Sequence, residues 1–123
     1  MKIERFSDLV VWQEAHRLAL SVYGVTAQFP IRERFGMVSQ VRRSAASVCA
    51  NIAEGFGRRT TRELLRSLQI ARGELEETRY YMILGRDLGF VASSEFGKLD
   101  AQCGVVGKLM SALSRSLRER LPA

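Results

Sequence analysis

Histidine is almost absent from this chain, which carries a single one, His16, among 123 residues. A di-iron or di-manganese bundle needs Glu-x-x-His on each of two helices, so one histidine excludes that chemistry. Cys49 and Cys103 are equally isolated. With no close Cys or His neighbours they form no zinc site, and in helix-patterned segments they read as reduced core thiols. No apolar run approaches the ~18 residues that a bilayer span requires. The start, Met1-Lys2-Ile3-Glu4-Arg5, also lacks a hydrophobic signal core, so a cytoplasmic protein without membrane contact is expected. Proline stands only at positions 30 and 122, which leaves long stretches free of helix breakers. Strand alternation, internal repeats and low-complexity tracts are missing.

Lysine is scarce as well. Of 19 basic residues only Lys2, Lys98 and Lys108 are lysine, and 13 acidic residues leave a formal charge of +6. A surface dominated by arginine favours planar, bidentate partners such as phosphate or carboxylate. The charge is uneven. Arg32, Arg34, Arg42, Arg43, Arg58 and Arg59 outnumber Glu33 and Glu54 between residues 29 and 60, residues 61–89 balance, and the tail is basic again. A basic end is the expectation.

What is abundant is helical periodicity. Val11, Ala15, Leu18, Val22, Val25 and Phe29 make the first stripe, which starts after Ser7 or Asp8 as N-cap and stops at Pro30. Val41, Ala45, Val48 and Ile52 make the second, closing at Gly55 or Gly57. Thr60 and Glu63 form a capping box ahead of the third stripe, Leu64, Leu68, Ala71, Leu75, Thr78, Met82 and Gly85. Phe96, Leu99, Cys103, Val106, Met110, Leu113 and Leu117 make the fourth, where Gly97, Gly104 and Ser111 align and predict a close approach to another backbone. Helices over approximately 8–28, 34–55, 61–88 and 94–119, joined by short loops, predict one all-α domain, an antiparallel up-and-down four-helix bundle.

Three surfaces stand apart from that core. Leu9, Trp12, His16, Leu20 and Tyr23 lie off the first stripe as a second apolar face, which predicts an interface with another copy of the chain. Gln40, Ser44, Ser47, Asn51 and Glu54 form a polar stripe beside the second core stripe. It reads either as a hydrogen-bonding seam between helices or subunits or as a site for a ligand or partner. Arg42, Arg43, Arg58, Arg59 and Arg62, with Arg66 one turn on, are the candidates for nucleic-acid binding, since arginines near a helix start suit phosphate oxygens. The bland alternative is a solvated surface balanced by neighbouring acids.

Catalysis finds no support in these residues. Ser47 and Cys49 lack a nearby base, Gly55-Phe56-Gly57 lacks the ending and preceding strand of a phosphate loop, and nothing calls for a cofactor or a metal. The expected protein is not an enzyme. It is a basic protein that binds nucleic acid or, as the alternative, a scaffold that presents its polar stripe to a protein partner. A hydrolase relying on Glu54 is a third option.

Phe6-x-Asp8-Leu9-x-Val11-Trp12-Gln13-x-Ala15, then Pro30-x-x-Glu33-x-Phe35-Gly36-Met37, then Gln40-x-Arg42-Arg43 through Ser47 to Asn51-Ile52-Ala53-Glu54-Gly55, resembles the bacterial four-helix bundle family that includes proteins encoded by intervening sequences inside 23S ribosomal RNA genes. Arg58, Ala71, Gly73, Leu75 and Glu77 continue the likeness to about Phe90. The resemblance implies a cytosolic bundle assembled as a homopentamer. It also implies similarity to the basic pentameric accessory protein of diversity-generating retroelements, which partners a reverse transcriptase and nucleic acid. Glu74 departs from the pattern, because many relatives carry serine there, and its charge is expected to weaken nucleic-acid binding on that face.

Overall fold

The four apolar stripes converge on one interior. The structure, a computed structural model, describes residues 2–122. It contains α1 (Val10–Thr26), α2 (Ser39–Gly57), α3 (Thr61–Asp87) and α4 (Ser93–Glu119), with no strand among the described residues. Helix α1 packs on α2 and α4, and α3 packs on the same two. Contacts across each pair run in opposite senses. Ser44 meets Thr78 while Gly55 faces Ser67 across α2 and α3, and Arg79 reaches Asp100 while Arg72 reaches Gly107 across α3 and α4. Neighbouring helices are therefore antiparallel, as short connections require.

Val11, Ala15, Leu18 and Val22 of α1 are buried against Val41, Ala45, Val48 and Ile52 of α2, Leu68, Ala71, Leu75 and Met82 of α3, and Leu99, Cys103, Val106 and Met110 of α4. Full burial of a Val or Leu side chain contributes ~1.5–3 kcal/mol, so this interior dominates the stability. One end of the bundle carries the α1–α2 connection and the 88–92 turn. The other carries the 58–60 turn, the start of α1 and the end of α4.

The helix limits differ from those read in the sequence where local hydrogen bonding competes with periodicity. Asp8 does not cap α1; its carboxylate accepts the N–H groups of Glu4 at 2.9 Å and Arg5 at 3.0 Å, closing a 3₁₀ turn at Phe6–Asp8. Those two donors hold the Asp8 carboxyl below its ordinary value, and α1 begins at Val10 rather than 8. At its other end Thr26 is buried and Val25 only partly, because the Thr26 hydroxyl donates to the Val22 carbonyl at 2.7 Å and needs no water. Helix α2 begins at Ser39 rather than 34. A 3₁₀ turn at Ile31–Glu33 and a wide turn at Arg34–Val38 precede it, and Gly36 leaves helical geometry there. Ile31 and Phe35 in this segment are 87% and 89% exposed.

Turn chemistry accounts for the remaining ends. Thr60 Oγ1 accepts the Glu63 N–H at 3.2 Å, capping α3. Gly89 adopts φ +81, and the N–H groups of Phe90 and Gly89 reach the carbonyls of Gly85 and Arg86. That is a Schellman ending, for which glycine is the favoured residue. Helix α4 starts at Ser93 without a side-chain cap. The expected close approach at Gly97 and Gly104 does not occur within this chain, since nothing among the described residues lies within 4 Å of a Cβ added at either. Helix α3 instead presses against Gly107, where an added Cβ would meet Arg72 at 3.6 Å and Leu75 at 3.7 Å.

Candidate nucleic-acid interface

The five arginines singled out in the sequence do not form one cluster. Arg42 and Arg43 lie in the first turns of α2 and Arg58, Arg59 and Arg62 beyond its far end. Sixteen residues at 1.5 Å per residue separate Arg42 from Arg58 by about 24 Å along the helix.

Arg42 and Arg43 are committed to the fold. Arg42 donates from Nε to Thr26 Oγ1 at 2.9 Å and from Nη2 to the Tyr23 carbonyl at 3.2 Å, and its guanidinium lies 4.5 Å from the Tyr23 ring centre. It thereby satisfies a carbonyl in the last turn of α1, where a cation also meets the helix dipole favourably. Arg43 donates to Glu74 at 3.2 Å and pairs with Glu77; the Glu77 hydrogen bond leads the causes that raise its pKa further. Glu74, the residue that departs from the family pattern, is thus occupied by an arginine of the same chain.

The polar stripe divides in the same way. Gln40 is exposed and accepts from Arg43 Nε at 3.3 Å. Ser44 is completely buried, 2.8 Å from the Thr78 hydroxyl, with the Val41 carbonyl at 3.0 Å and the Glu74 carbonyl 2.9 Å from Thr78. Two hydroxyl protons serve these three contacts, so the pair is a polar clasp between α2 and α3. Asn51 turns back onto its own helix, donating to the Ser47 carbonyl at 2.8 Å. Ser47 and Asn51 are half-buried, and Glu54 is exposed with no ion pair among the described residues. The stripe is a seam at Ser44 and an open surface from Ser47 onward.

The arginines around the turn between α2 and α3 stand differently. Gly55 is buried where α2 crosses α3, and a Cβ there would fall 2.4 Å from Ser67 Cβ and 3.3 Å from Leu64 Cα. Close approach at Gly55 therefore sets the spacing of the two helices at this end. Gly57 does not provide the turn, because Arg59 takes the left-handed conformation at φ 67. Arg58, Arg59, Arg62 and Arg66 are exposed, and their side chains make no ion pair or hydrogen bond among the described residues. Arg59 lies 5.8 Å from the Phe56 ring centre. Arg115, Arg118 and Arg120, from the end of α4, join this basic end and were missed in the sequence. Their signal was the basic excess of the tail, which periodicity alone could not assign to an end.

The second face of α1 is split. Leu9 is half-buried and, with Val10 and Val11, faces Leu109, Ala112 and Leu113 of α4. Trp12 packs edge-on against Phe6 and stacks on His16, each at 5.0 Å between ring centres. His16, Leu20 and Tyr23, with Ala19, Ala46 and Cys49, line an apolar cleft of ≈ 260 Å³ between α1 and α2. Leu20 is 60% exposed and Tyr23 45%.

Burial pushes both thiols up to about 11, so at neutral pH Cys49 and Cys103 are protonated and weakly nucleophilic. No group of three or more His, Cys, Asp or Glu side chains suited to a metal ion occurs among the described residues. No helix among them is long and apolar enough to cross a membrane.

The family of 23S rRNA-intervening sequence proteins matches residues 7–112, from the turn before α1 into the second half of α4. A crystal structure of a protein with unknown function, from the S23 ribosomal protein family of Bacteroides thetaiotaomicron, is similar to this chain with a TM-score of 0.78 and 21% identity. The likeness covers 86% of this chain and 96% of that one. At that identity it is the bundle that is shared. No curated protein matches the chain.

Proposed function

The chain belongs to the 23S rRNA-intervening sequence protein family, and from that premise we propose that it is a non-enzymatic, cytoplasmic, self-associating bundle that binds RNA or DNA through its arginine-rich end. The observation that carries this reading is the set Arg58, Arg59 and Arg62, exposed and without acidic partners among the described residues. Free guanidinium groups on a rigid turn suit phosphate oxygens, whereas Arg42 and Arg43 are already occupied and drop out of the binding set. Phe56 lies close to Arg59, and a single such ring gives no stacking platform, so recognition rests on shape and charge rather than on base stacking.

Self-association is supported by exposed apolar side chains in separate places: Leu20 and Tyr23 on α1, and Ile31 and Phe35 in the α1–α2 connection. A ring of five is the assembly that the family resemblance implies. Native mass spectrometry tests it directly, with a single-chain mass at micromolar concentration as the contrary result.

Binding is tested by fluorescence anisotropy of a labelled structured RNA and a matched DNA duplex at about 50 and 200 mM salt. Submicromolar affinity that falls steeply between those salts supports the reading, because each phosphate contact adds about 0.7–0.9 to the slope of log affinity against log salt. Replacing Arg58 and Arg59 with alanine lowers the affinity and the slope while the fold stays intact. No binding at the lower salt sinks the reading and leaves a protein-interaction scaffold in its place.

A further inference from the structure

Between α3 and α4, beside the arginine-rich end, lies a polar cleft of ≈ 410 Å³ lined by Gln69, Arg72, Ser114, Arg115 and Arg118, together with Leu68 and Ser111. No carboxylate lines it. That sets it apart from the arginine sites further along α3, where Arg79 has Glu76 and Asp100 and Arg86 has Asp87. Guanidinium groups gathered around one concavity repel each other. An anion seated among them removes that cost.

Arg72 is already held in place for such a role. Its Nη2 donates to the Gly107 carbonyl at 2.8 Å and to Ser111 Oγ at 2.7 Å, while its other N–H groups have no partner among the described residues. A Cβ at Gly107 would lie 3.6 Å from the guanidinium, so the Arg72 head group rests directly against this stretch of α4. A guanidinium fixed before the ligand arrives loses little side-chain entropy on binding. Arg115 and Arg118 are three residues apart and so project from one face of α4. Arg62, Arg66 and Gln69 follow steps of four and three along α3, which leads from the 58–60 turn into the cleft.

Resting on the nucleic-acid reading above, we propose that this α3–α4 cleft is a phosphate-binding groove, and that a bound RNA or DNA strand runs from the Arg58–Arg62 turn into it. Arg72 is the fixed anchor, and Arg115 and Arg118 close on the backbone phosphates from the α4 side. Ser114 and Gln69 supply neutral donors to the same oxygens.

The test uses the full-length protein and the labelled RNA and DNA of the anisotropy experiment. Arg115 and Arg118 are both replaced with alanine; both are exposed and outside the core, so the thermal midpoint is expected to hold. A control pair, Arg34→Ala with Lys98→Ala, removes the same charge at the opposite end of the bundle. The expected result is an affinity loss of about tenfold or more, with a salt slope lower by about 1.5, for the cleft pair. The control pair changes affinity less than threefold. If the cleft pair binds like wild type while Arg58→Ala with Arg59→Ala still weakens binding, the groove is refuted and the arginine-turn reading survives. An equal loss from both charge pairs also refutes it, since the attraction is then diffuse. If wild-type protein binds neither nucleic acid at about 50 mM salt, the functional reading fails and the groove with it.

Discussion

Helix α2 is fastened to its neighbours in two different ways, and the difference decides what its two ends are free to do. At its start the side chains do the holding: Arg42 to Thr26 and Tyr23, Arg43 to Glu74 and Glu77, Ser44 to Thr78. At its finish close approach does the holding, because the missing side chain of Gly55 lets the Ser67 side chain and the Leu64 backbone of α3 lie directly against α2. An end tied by guanidinium groups has those groups occupied, whereas one fixed by close packing at a glycine keeps Arg58, Arg59 and Arg62 for something outside the chain. Rigidity and availability coexist at the second end because they come from different atoms.

Breaking the backbone contact gives the largest expected effect. Gly55→Ala places a methyl 2.4 Å from Ser67 Cβ and 3.3 Å from the Leu64 backbone, so the helices must separate, at a cost of about 3 kcal/mol. Urea unfolding measures it. Ser67→Ala, which retains the clashing Cβ, does not rescue the variant, and Ser67→Gly does so only in part because Leu64 remains. A Gly55→Ala protein as stable as wild type means that this end is not held by close approach.

Next in size is the clasp at the other end. Thr78→Val keeps the shape and removes one hydroxyl from the Ser44–Thr78 pair, and a loss of about 1 kcal/mol is expected. Ser44→Ala loses about as much, and the double variant loses less than the two singles together, since each single leaves its partner short of one contact. Strict additivity in the urea midpoints would show that the two hydroxyls serve only their own helices.

These two contacts also mark what the sequence made legible. The periods of three and four located the helices, the core and the up-and-down order, because burying a stripe is a property of many residues at once and survives a local error. Thr78 was read as part of the α3 core seam and Ser44 as part of a polar stripe, yet they meet each other, a pairing set by the register between α2 and α3. No single-helix pattern contains that register. Gly55 was read as a helix end for the same reason, since a glycine that stops a helix and one that admits a neighbour look alike in one dimension. The basic cluster was half legible: the excess of arginine can be counted in the sequence, but Arg42 and Arg58 look close in the chain and lie at opposite ends of a helix. Arg115 and Arg118 come near the Arg58–Arg62 end only through the fold. The family likeness extends further than it was read, past Phe90 to residue 112.

Arg43 sharpens the contrast at smaller cost. Its side chain is 46% exposed, so Arg43→Ala should lower stability by less than about 1 kcal/mol, as solvent-screened ion pairs do. It releases Glu74 and Glu77 on α3, away from the proposed path, and RNA affinity is expected to fall less than threefold, against about tenfold for Arg58→Ala with Arg59→Ala. Equal losses from the two would erase the distinction between occupied and free arginines.

The smallest change in stability comes at Arg59, and its sign is the useful part. Arg59 holds φ 67 in the turn between α2 and α3, a conformation that costs a residue with a Cβ about 1–2 kcal/mol. Glycine adopts it freely but gives up about 0.5–1 kcal/mol of chain entropy on folding. The Phe56 ring 5.8 Å from the guanidinium contributes little at this distance in water. Arg59→Gly should therefore raise the unfolding free energy by about 0.5 kcal/mol, while RNA affinity drops because a phosphate-seeking charge has gone. Selection for stability alone would place glycine at this position. A variant that melts higher and binds RNA more weakly assigns the arginine to binding, whereas one that melts lower assigns it to the turn.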